Sequence, residues 1–193
     1  SLILHPIFFP IISLYISLKL IPHIGLGNKN FNNFIYLVYF LSTIMLPLIN
    51  ILFLIRSKKV SSLEMANHKE RSLPLFISAI WIWFGYYSLE KILVLSPILK
   101  SEILGIIIIT VIASVISKYW KISLHMLGIG GVIGVLISLN ILFGGMGKAI
   151  IIAILFAGIL GVARLHEKAH NHTQIYAGLI LGCLIEVCAI LVF

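Results

Sequence analysis

Long apolar runs separated by short polar loops constrain the fold of this chain more than any other feature. Mean hydropathy is +1.15, and 61% of the residues are hydrophobic against 10% charged, a composition that soluble domains do not have. About 20 apolar residues cross a bilayer as one helix. The sequence therefore predicts a single all-α domain over 1–193, a polytopic integral membrane bundle of six or seven spanning helices. The runs cover about 2–20, 34–55, 103–117, 148–163 and 174–193, with two more opening at Leu73 and Ile122. A polar turn is predicted at 25–33, and a polar interface that includes an apolar hairpin with Pro97 is predicted from Glu90 to Glu102.

The charge of the chain favours anionic partners. Net charge is +8, from 14 Lys and Arg against 6 acidic residues, all of them Glu. The basic residues lie in short loops, which favours anionic lipid headgroups or a phosphorylated ligand and argues against nucleic acid as a partner. Because no Asp is present to hold Mg²⁺ in the usual way, we expect chemistry without a metal or another cofactor.

The polar stretch 163–174 holds an Arg, a Lys, a Glu and three His between two apolar runs. Charge of this density is costly beside a bilayer, so a functional role is favoured. Arg164 offers a planar fork for phosphate, and His170 can act as base, acid or nucleophile. A spacing of four puts His170 and Gln174 on one helix face. Two alternatives stay open: a solvated loop that meets lipid headgroups, and a zinc site from His166, His170 and His172.

Seven spans would bring three polar loops to one membrane face. Two or three cations there could neutralise a phosphate dianion, and a hydroxyl and a helix N-terminus could donate to its oxygens. One His could attack phosphorus while another protonates the leaving oxygen. The residues that converge are Lys69, Arg71, Ser123, His125, Arg164 and His170.

Three motifs in these loops resemble those of the type 2 phosphatidic acid phosphatase superfamily, over about residues 56 to 182. Ala163-Arg164, five residues, His170, three residues and Gln174 resemble the family's Ser-Arg, five residues, His, three residues, Asp. The segment 122–125, Ile-Ser-Leu-His, resembles Pro-Ser-Gly-His. The segment 69–74, Lys-Glu-Arg-Ser-Leu-Pro, is a looser match to Lys, six residues, Arg-Pro.

The resemblance implies a metal-independent membrane phosphatase that acts on a lipid phosphate or diphosphate. His170 would be the nucleophile that forms a phosphohistidine, and His125 would be the general acid. The phosphate would be held by Lys69, Arg71, Ser123 and Arg164. The chain departs from the family pattern at Gln174, where an Asp would orient His170, at Leu124, where a Gly is usual, and at Glu64, where a Lys is usual.

Two other functions remain as alternatives. A catalytically silent family member could serve as a lipid-binding or assembly subunit of a membrane complex. A small transporter is the third reading, motivated by Glu186 near the middle of the last apolar run. A structural role for Glu186, as a neutral or hydrogen-bonded acid against another helix near Asn140, is favoured over transport.

Membrane orientation is predicted in opposite ways by two arguments. The motif-bearing loops carry nine of the basic residues against five on the other face, which the positive-inside rule would make cytoplasmic. Without the candidate ligands Lys69, Arg71 and Arg164 the ratio is six to five, which decides nothing. The resemblance implies a bacterial cytoplasmic (inner) membrane with the site on its periplasmic face.

Overall fold

The computed structural model describes residues 5–21, 29–63, 65, 67–94 and 96–192, and within them the chain is all-α. Six helices are long and apolar enough to cross a membrane, and one at the N-terminal end is shorter. The prediction of a polytopic integral membrane bundle is confirmed. In chain order the helices are α1 Pro6–Leu20, α2 Lys29–Arg56, α3 His68–Leu93, α4 Pro97–Tyr119, α5 Leu124–Phe143, α6 Gly147–His166 and α7 His172–Val192.

Helix α2 is longer than the apolar run predicted. It begins at Lys29, so the second half of the predicted polar turn is helical, while 22–28 lie outside the described residues. A π-helical turn, Leu41–Met45, precedes Pro47. Proline lacks an N–H and cannot complete the regular hydrogen-bond ladder. Around the turn, the hydroxyls of Ser42 and Thr43 donate to backbone carbonyls one turn earlier, which supplies internal partners for polar groups in an apolar environment.

The predicted bounds of the fourth span are wrong. A polar interface with an apolar hairpin was expected up to about Glu102, but α4 already begins at Pro97. Proline at the first helical position costs no hydrogen bond, so Pro97 starts the helix and does not mark a turn. Glu102 consequently lies inside a spanning helix, where it is fully buried.

Helix α5 is the centre of the bundle and packs against α1, α4, α6 and α7. Its contact with α7 is the closest, because glycines face backbone on both sides. A Cβ on Gly130 would collide with the carbonyl oxygen of Leu179, and a Cβ on Gly182 would collide with that of Leu127. Small residues let membrane helices approach in this way and gain van der Waals contact.

The helix directions place one end of every helix on a common membrane face, here called the motif face. At this face α1, α3, α5 and α7 begin and α2, α4 and α6 end. Three contacts join these ends. The rings of His5 and His125 lie 6.2 Å apart, His68 Nδ1 lies 2.7 Å from the Ser117 carbonyl oxygen, and the Ser123 N–H donates to the Gln174 carbonyl over 3.3 Å.

Candidate active site

The side chain of Gln174 holds both the start of α7 and the ring of His170. The backbone N–H of Gln174 donates to Asn171 Oδ1 over 2.9 Å, and Gln174 Oε1 accepts from the Asn171 N–H over 3.3 Å. This reciprocal pair is a capping box, which satisfies the first N–H groups of a helix. The same Oε1 lies 3.0 Å from His170 Nδ1.

These bonds determine which nitrogen of His170 carries hydrogen. The Asn171 N–H can only donate, so the Gln174 atom that it meets is an acceptor oxygen. His170 Nδ1 must therefore be the donor to that oxygen. In the neutral ring, Nε2 then carries the lone pair that a nucleophile needs.

Two buried arginines act electrostatically on this histidine. Arg71, 9% exposed, donates from Nε to the Met65 carbonyl over 2.8 Å. Arg164, 7% exposed, forms an ion pair with Glu167 one turn further along, while its Nε has no hydrogen-bond partner among the residues the structure describes. A buried guanidinium group is costly unless it is paired and hydrogen-bonded. The two buried arginines therefore favour the binding of an anion near them.

Lys121 adds a third cation that the sequence reasoning missed. It is half-buried in the turn between α4 and α5. Burial is the main cause that lowers the pKa of Lys121, and the positive charge of Arg71 lowers it further. The charge of Lys121 in turn reaches His170. The signal in the sequence was its place two residues before Ser123 in the loop that bears the second motif.

The ring of His170 is held in its neutral form. Burial is the main reason that the pKa of His170 lies below its ordinary value of 6.5, and the hydrogen bond that His170 donates to Gln174 opposes this shift. The positive charges of Arg71, Lys121 and Arg164 lower the pKa further. A neutral imidazole near pH 7 is the form that can attack an electrophile.

His125 lies in the first turn of α5. The charges of Arg164, His170 and Arg71 all reach its ring. Its Nε2 is buried and has no hydrogen-bond partner within the described part of the chain. The ring of His5 meets it edge to face, and burial lowers the pKa of His5. The sequence motifs did not indicate His5. The same count of seven spans, however, also places the residues before the first span on this face.

Ser123 has a structural role in addition to the predicted one. It is fully buried, and its Oγ accepts from the Met126 N–H over 3.4 Å as the N-cap of α5. Its own N–H joins α5 to α7 through the Gln174 carbonyl. The hydroxyl hydrogen is not used by the cap, so it remains able to donate. The neighbouring Leu124 lines an apolar cleft between the helices.

The predicted residues are not all brought together. Arg71, Ser123, His125, Arg164, His170 and Gln174 converge at the motif face. Lys69 is exposed, and no described contact joins its side chain to this cluster. Glu64, the departure from the first motif, lies outside the described residues.

No protein-family model, curated protein or solved structure matches the chain.

Function is therefore inferred from the motif residues and their geometry alone. Within the described ranges, no three His, Cys or Glu side chains lie close enough to hold a metal ion. The zinc alternative from His166, His170 and His172 is accordingly not supported by their placement. His172 instead stacks on Tyr176, with ring centroids 6.5 Å apart. What converges is an oriented imidazole, a second histidine and three cations, a set suited to phosphoryl transfer.

Proposed function

We propose that this chain is an integral membrane phosphatase that cleaves a lipid phosphate or diphosphate through a phosphohistidine at His170. One observation carries the proposal: Gln174 orients the His170 ring in the vicinity of two buried arginines. Preorganised cations stabilise the charge on the transferring phosphoryl group, which is the main task of a protein in this chemistry.

The reaction follows from the positions of the two histidines. His170 Nε2 attacks phosphorus, and the bond from phosphorus to the lipid oxygen breaks as the N–P bond forms. A bound phosphate dianion favours a protonated ring on His125, which gives its proton to the departing lipid oxygen. Water then attacks the phosphohistidine, with His125 accepting its proton, and inorganic phosphate leaves. Arg71, Arg164 and Lys121 hold the phosphoryl oxygens throughout.

A lipid substrate suits the place of the site in the membrane. The cluster lies at the ends of the spanning helices, where a headgroup could enter from the interface. An apolar cleft begins beside it at His5, Pro74 and Leu124 and continues between the helices. An acyl or isoprenoid tail could lie along these helices while the phosphate meets the cations.

A silent lipid-binding or assembly subunit is the second candidate, and Gln174 favours it. An amide orients the ring of His170 but adds no negative charge to the imidazolium that forms. Its capping bonds to Asn171 also give Gln174 a purely structural reason to be present.

We propose the periplasmic face of a bacterial cytoplasmic membrane as the location of the site. The test uses His166→Cys, because His166 is exposed at the motif face, in a chain whose Cys183 and Cys188 are replaced by Ala. Labelling of intact cells by a membrane-impermeant maleimide is expected. Labelling only after the cells are opened would place the site in the cytoplasm.

The mechanism is tested with purified protein and a panel of radiolabelled lipid phosphates in the presence of EDTA. We expect phosphate release by the wild type and a phosphohistidine band on an alkaline gel. His170→Ala should abolish both, and His125→Ala should slow release. His172→Ala is the matched control, because His172 is exposed and its ring stacks on Tyr176.

Turnover that survives His170→Ala rejects the mechanism. A wild type that binds these lipids but neither hydrolyses them nor becomes labelled supports the silent subunit instead. Loss of turnover in EDTA that returns with added metal would reject the metal-independent reaction.

A further inference from the structure

A second polar cluster lies inside the membrane, away from the motif face. Glu102 of α4 and Glu186 of α7 are buried to 0% and 1% exposure. The predicted neighbour of Glu186 is wrong: its carboxyl group interacts with Glu102, whereas Asn140 accepts from the Met146 N–H over 3.0 Å at the end of α5. Intramembrane carboxyl groups are costly and indicate a functional site by default.

Helix α1 supplies hydroxyl groups to Glu102. Ser13 Oγ donates to Oε1 over 2.6 Å, and Ser17 Oγ donates to Oε2 over 2.9 Å. Hydrogen bonds to both carboxylate oxygens favour the ionised form of the group. The two serines themselves keep oxygen lone pairs that a further ligand could use.

Two oxygens in this cluster have no hydrogen-bond partner in the described part of the chain. One is Glu186 Oε2, which is pressed against Gly105, one turn from Glu102 on α4. The other is the hydroxyl of Tyr39 on α2, 2% exposed, on which both carboxyl groups act electrostatically. Buried oxygens without a partner are rare and point to a ligand.

A proton shared between the two carboxyl groups would not account for this arrangement. Such a proton forms a hydrogen bond between them, yet both Glu102 oxygens accept from serines and Glu186 Oε2 has no partner in the ranges described. With a cation bound, the serine hydrogen bonds make Glu102 the carboxyl group better suited to be ionised and leave Glu186 neutral, which is one net negative charge. Among the described groups that act on Glu186 and Tyr39, none is a cation.

We propose that Glu102, Glu186, Ser13, Ser17 and Tyr39 bind one small monovalent cation such as Na⁺ within the membrane. All five side chains offer oxygen, the ligand atom that hard cations prefer. A single positive charge balances the ionised Glu102, whereas a divalent ion would leave an excess of positive charge. The site is separate from the phosphatase proposal, since it shares none of the proposed catalytic residues.

The apolar cleft proposed above for a lipid tail also extends from the motif face toward this site. It has a volume of about 160 Å³ and is lined from His5 to Ser13 and Glu186. Thr43, Ser78 and Thr110 add hydroxyl groups along its mostly apolar wall. Glu186 therefore lines a cleft that begins at the motif face, whereas Glu102 lies behind it.

The test is equilibrium binding of radioactive Na⁺ to the purified full chain in detergent, with choline chloride to keep ionic strength constant. We expect saturable binding of one ion per chain by the wild type. Glu102→Gln removes the ionised ligand and should weaken binding at least tenfold, which corresponds to about 1.4 kcal/mol. Glu186→Gln keeps a neutral oxygen ligand for the ion and should weaken Na⁺ binding less than Glu186→Leu does. Glu90→Gln, at an exposed position of α3, is the control and should bind normally.

Several outcomes would overturn the proposal. The wild type could bind no Na⁺ and yet show an unfolding temperature that changes with pH. The two carboxyl groups would then bind protons only. Equal binding by wild type and Glu102→Gln would place the ion elsewhere. Should Glu102→Gln fail to fold, Tyr39→Phe and the double change Ser13→Ala, Ser17→Ala each remove neutral ligands. Unchanged Na⁺ affinity in both of these variants would also reject the site.

Discussion

The hydrogen bond from His170 to Gln174 is the contact on which the proposed chemistry depends most directly. Gln174→Ala removes the acceptor that lies 3.0 Å from His170 Nδ1. Gln174→Glu keeps the length of the side chain and adds a negative charge. Gln174→Asp, the residue of the resembled family, adds the same charge on a side chain one methylene shorter. The three changes separate the orientation of the ring from the stabilisation of its charge.

The size of each effect follows from the kind of bond. A neutral hydrogen bond contributes about 0.5–1.5 kcal/mol, so Gln174→Ala should lower kcat/KM by roughly two- to tenfold. A bond to a charged acceptor contributes about 1.5–3 kcal/mol, which is about 1–1.5 kcal/mol more than the neutral bond it replaces, so Gln174→Glu should raise kcat/KM by roughly five- to tenfold. Gln174→Asp should keep or raise activity. Loss of the capping bond in Gln174→Ala should also cost about 1 kcal/mol of stability.

Asn171→Ala is the matched control for this series. It removes the other half of the capping box, where Asn171 Oδ1 accepts from the Gln174 N–H, but leaves the His170 bond in place. Phosphate release from a lipid phosphate is measured with each variant, together with its thermal unfolding. The alanine variants at 171 and 174 should lose similar stability, and only Gln174→Ala should lose activity.

Two results would refute this reasoning. An unchanged kcat/KM in Gln174→Ala would show that the bond does not orient a reacting ring. A large loss of activity in a well-folded Gln174→Glu would show that the imidazole is not required to bear positive charge in the transition state.

The remaining predictions concern pH and helix packing. Because the pKa of His170 lies below 6.5 and the neutral ring reacts, kcat/KM should stay constant as pH falls to 6.5 and decline only below that pH. Lys121→Gln removes a positive charge near His170 and should move this decline to higher pH. An identical pH profile in the variant would contradict the placement of Lys121. Gly182→Ala forces a Cβ against the Leu127 carbonyl and should lower stability by about 1–3 kcal/mol in thermal unfolding. Gly158→Ala, with no atom within 4 Å of the added Cβ, should not; equal melting temperatures would show that the contact of α5 with α7 is not tight.

The class of fold was predictable because hydropathy is a property of each segment taken alone. Apolar runs of spanning length predicted the membrane bundle, and counting them placed the polar loops on one face. Helix ends were less predictable. The sequence predicts a hairpin at Pro97 and therefore places Glu102 at an interface, but proline also suits the first turn of a helix, and α4 begins there.

Part of the candidate site could also be predicted, because its residues lie close together in the sequence. His170 and Gln174 are four residues apart, and their contact needs only the start of one helix. The Asn-x-x-Gln pattern at 171–174 could have indicated the capping box from sequence. Arg164 precedes His170 in the same loop, so the third motif required little tertiary information.

Tertiary structure decided the contacts between distant segments. Lys121 and His5 joined the cluster, and Lys69 stayed outside it, because side-chain direction at a helix end depends on how the helices pack. The meeting of Glu102 with Glu186 depends on Gly105, whose missing side chain leaves room for a carboxyl group between α4 and α7. Hydropathy along the chain reports that a helix is buried in a membrane, but not which of its faces meets which neighbour. That choice depends on the fit of small and large residues between helices, which exists only once the bundle has formed.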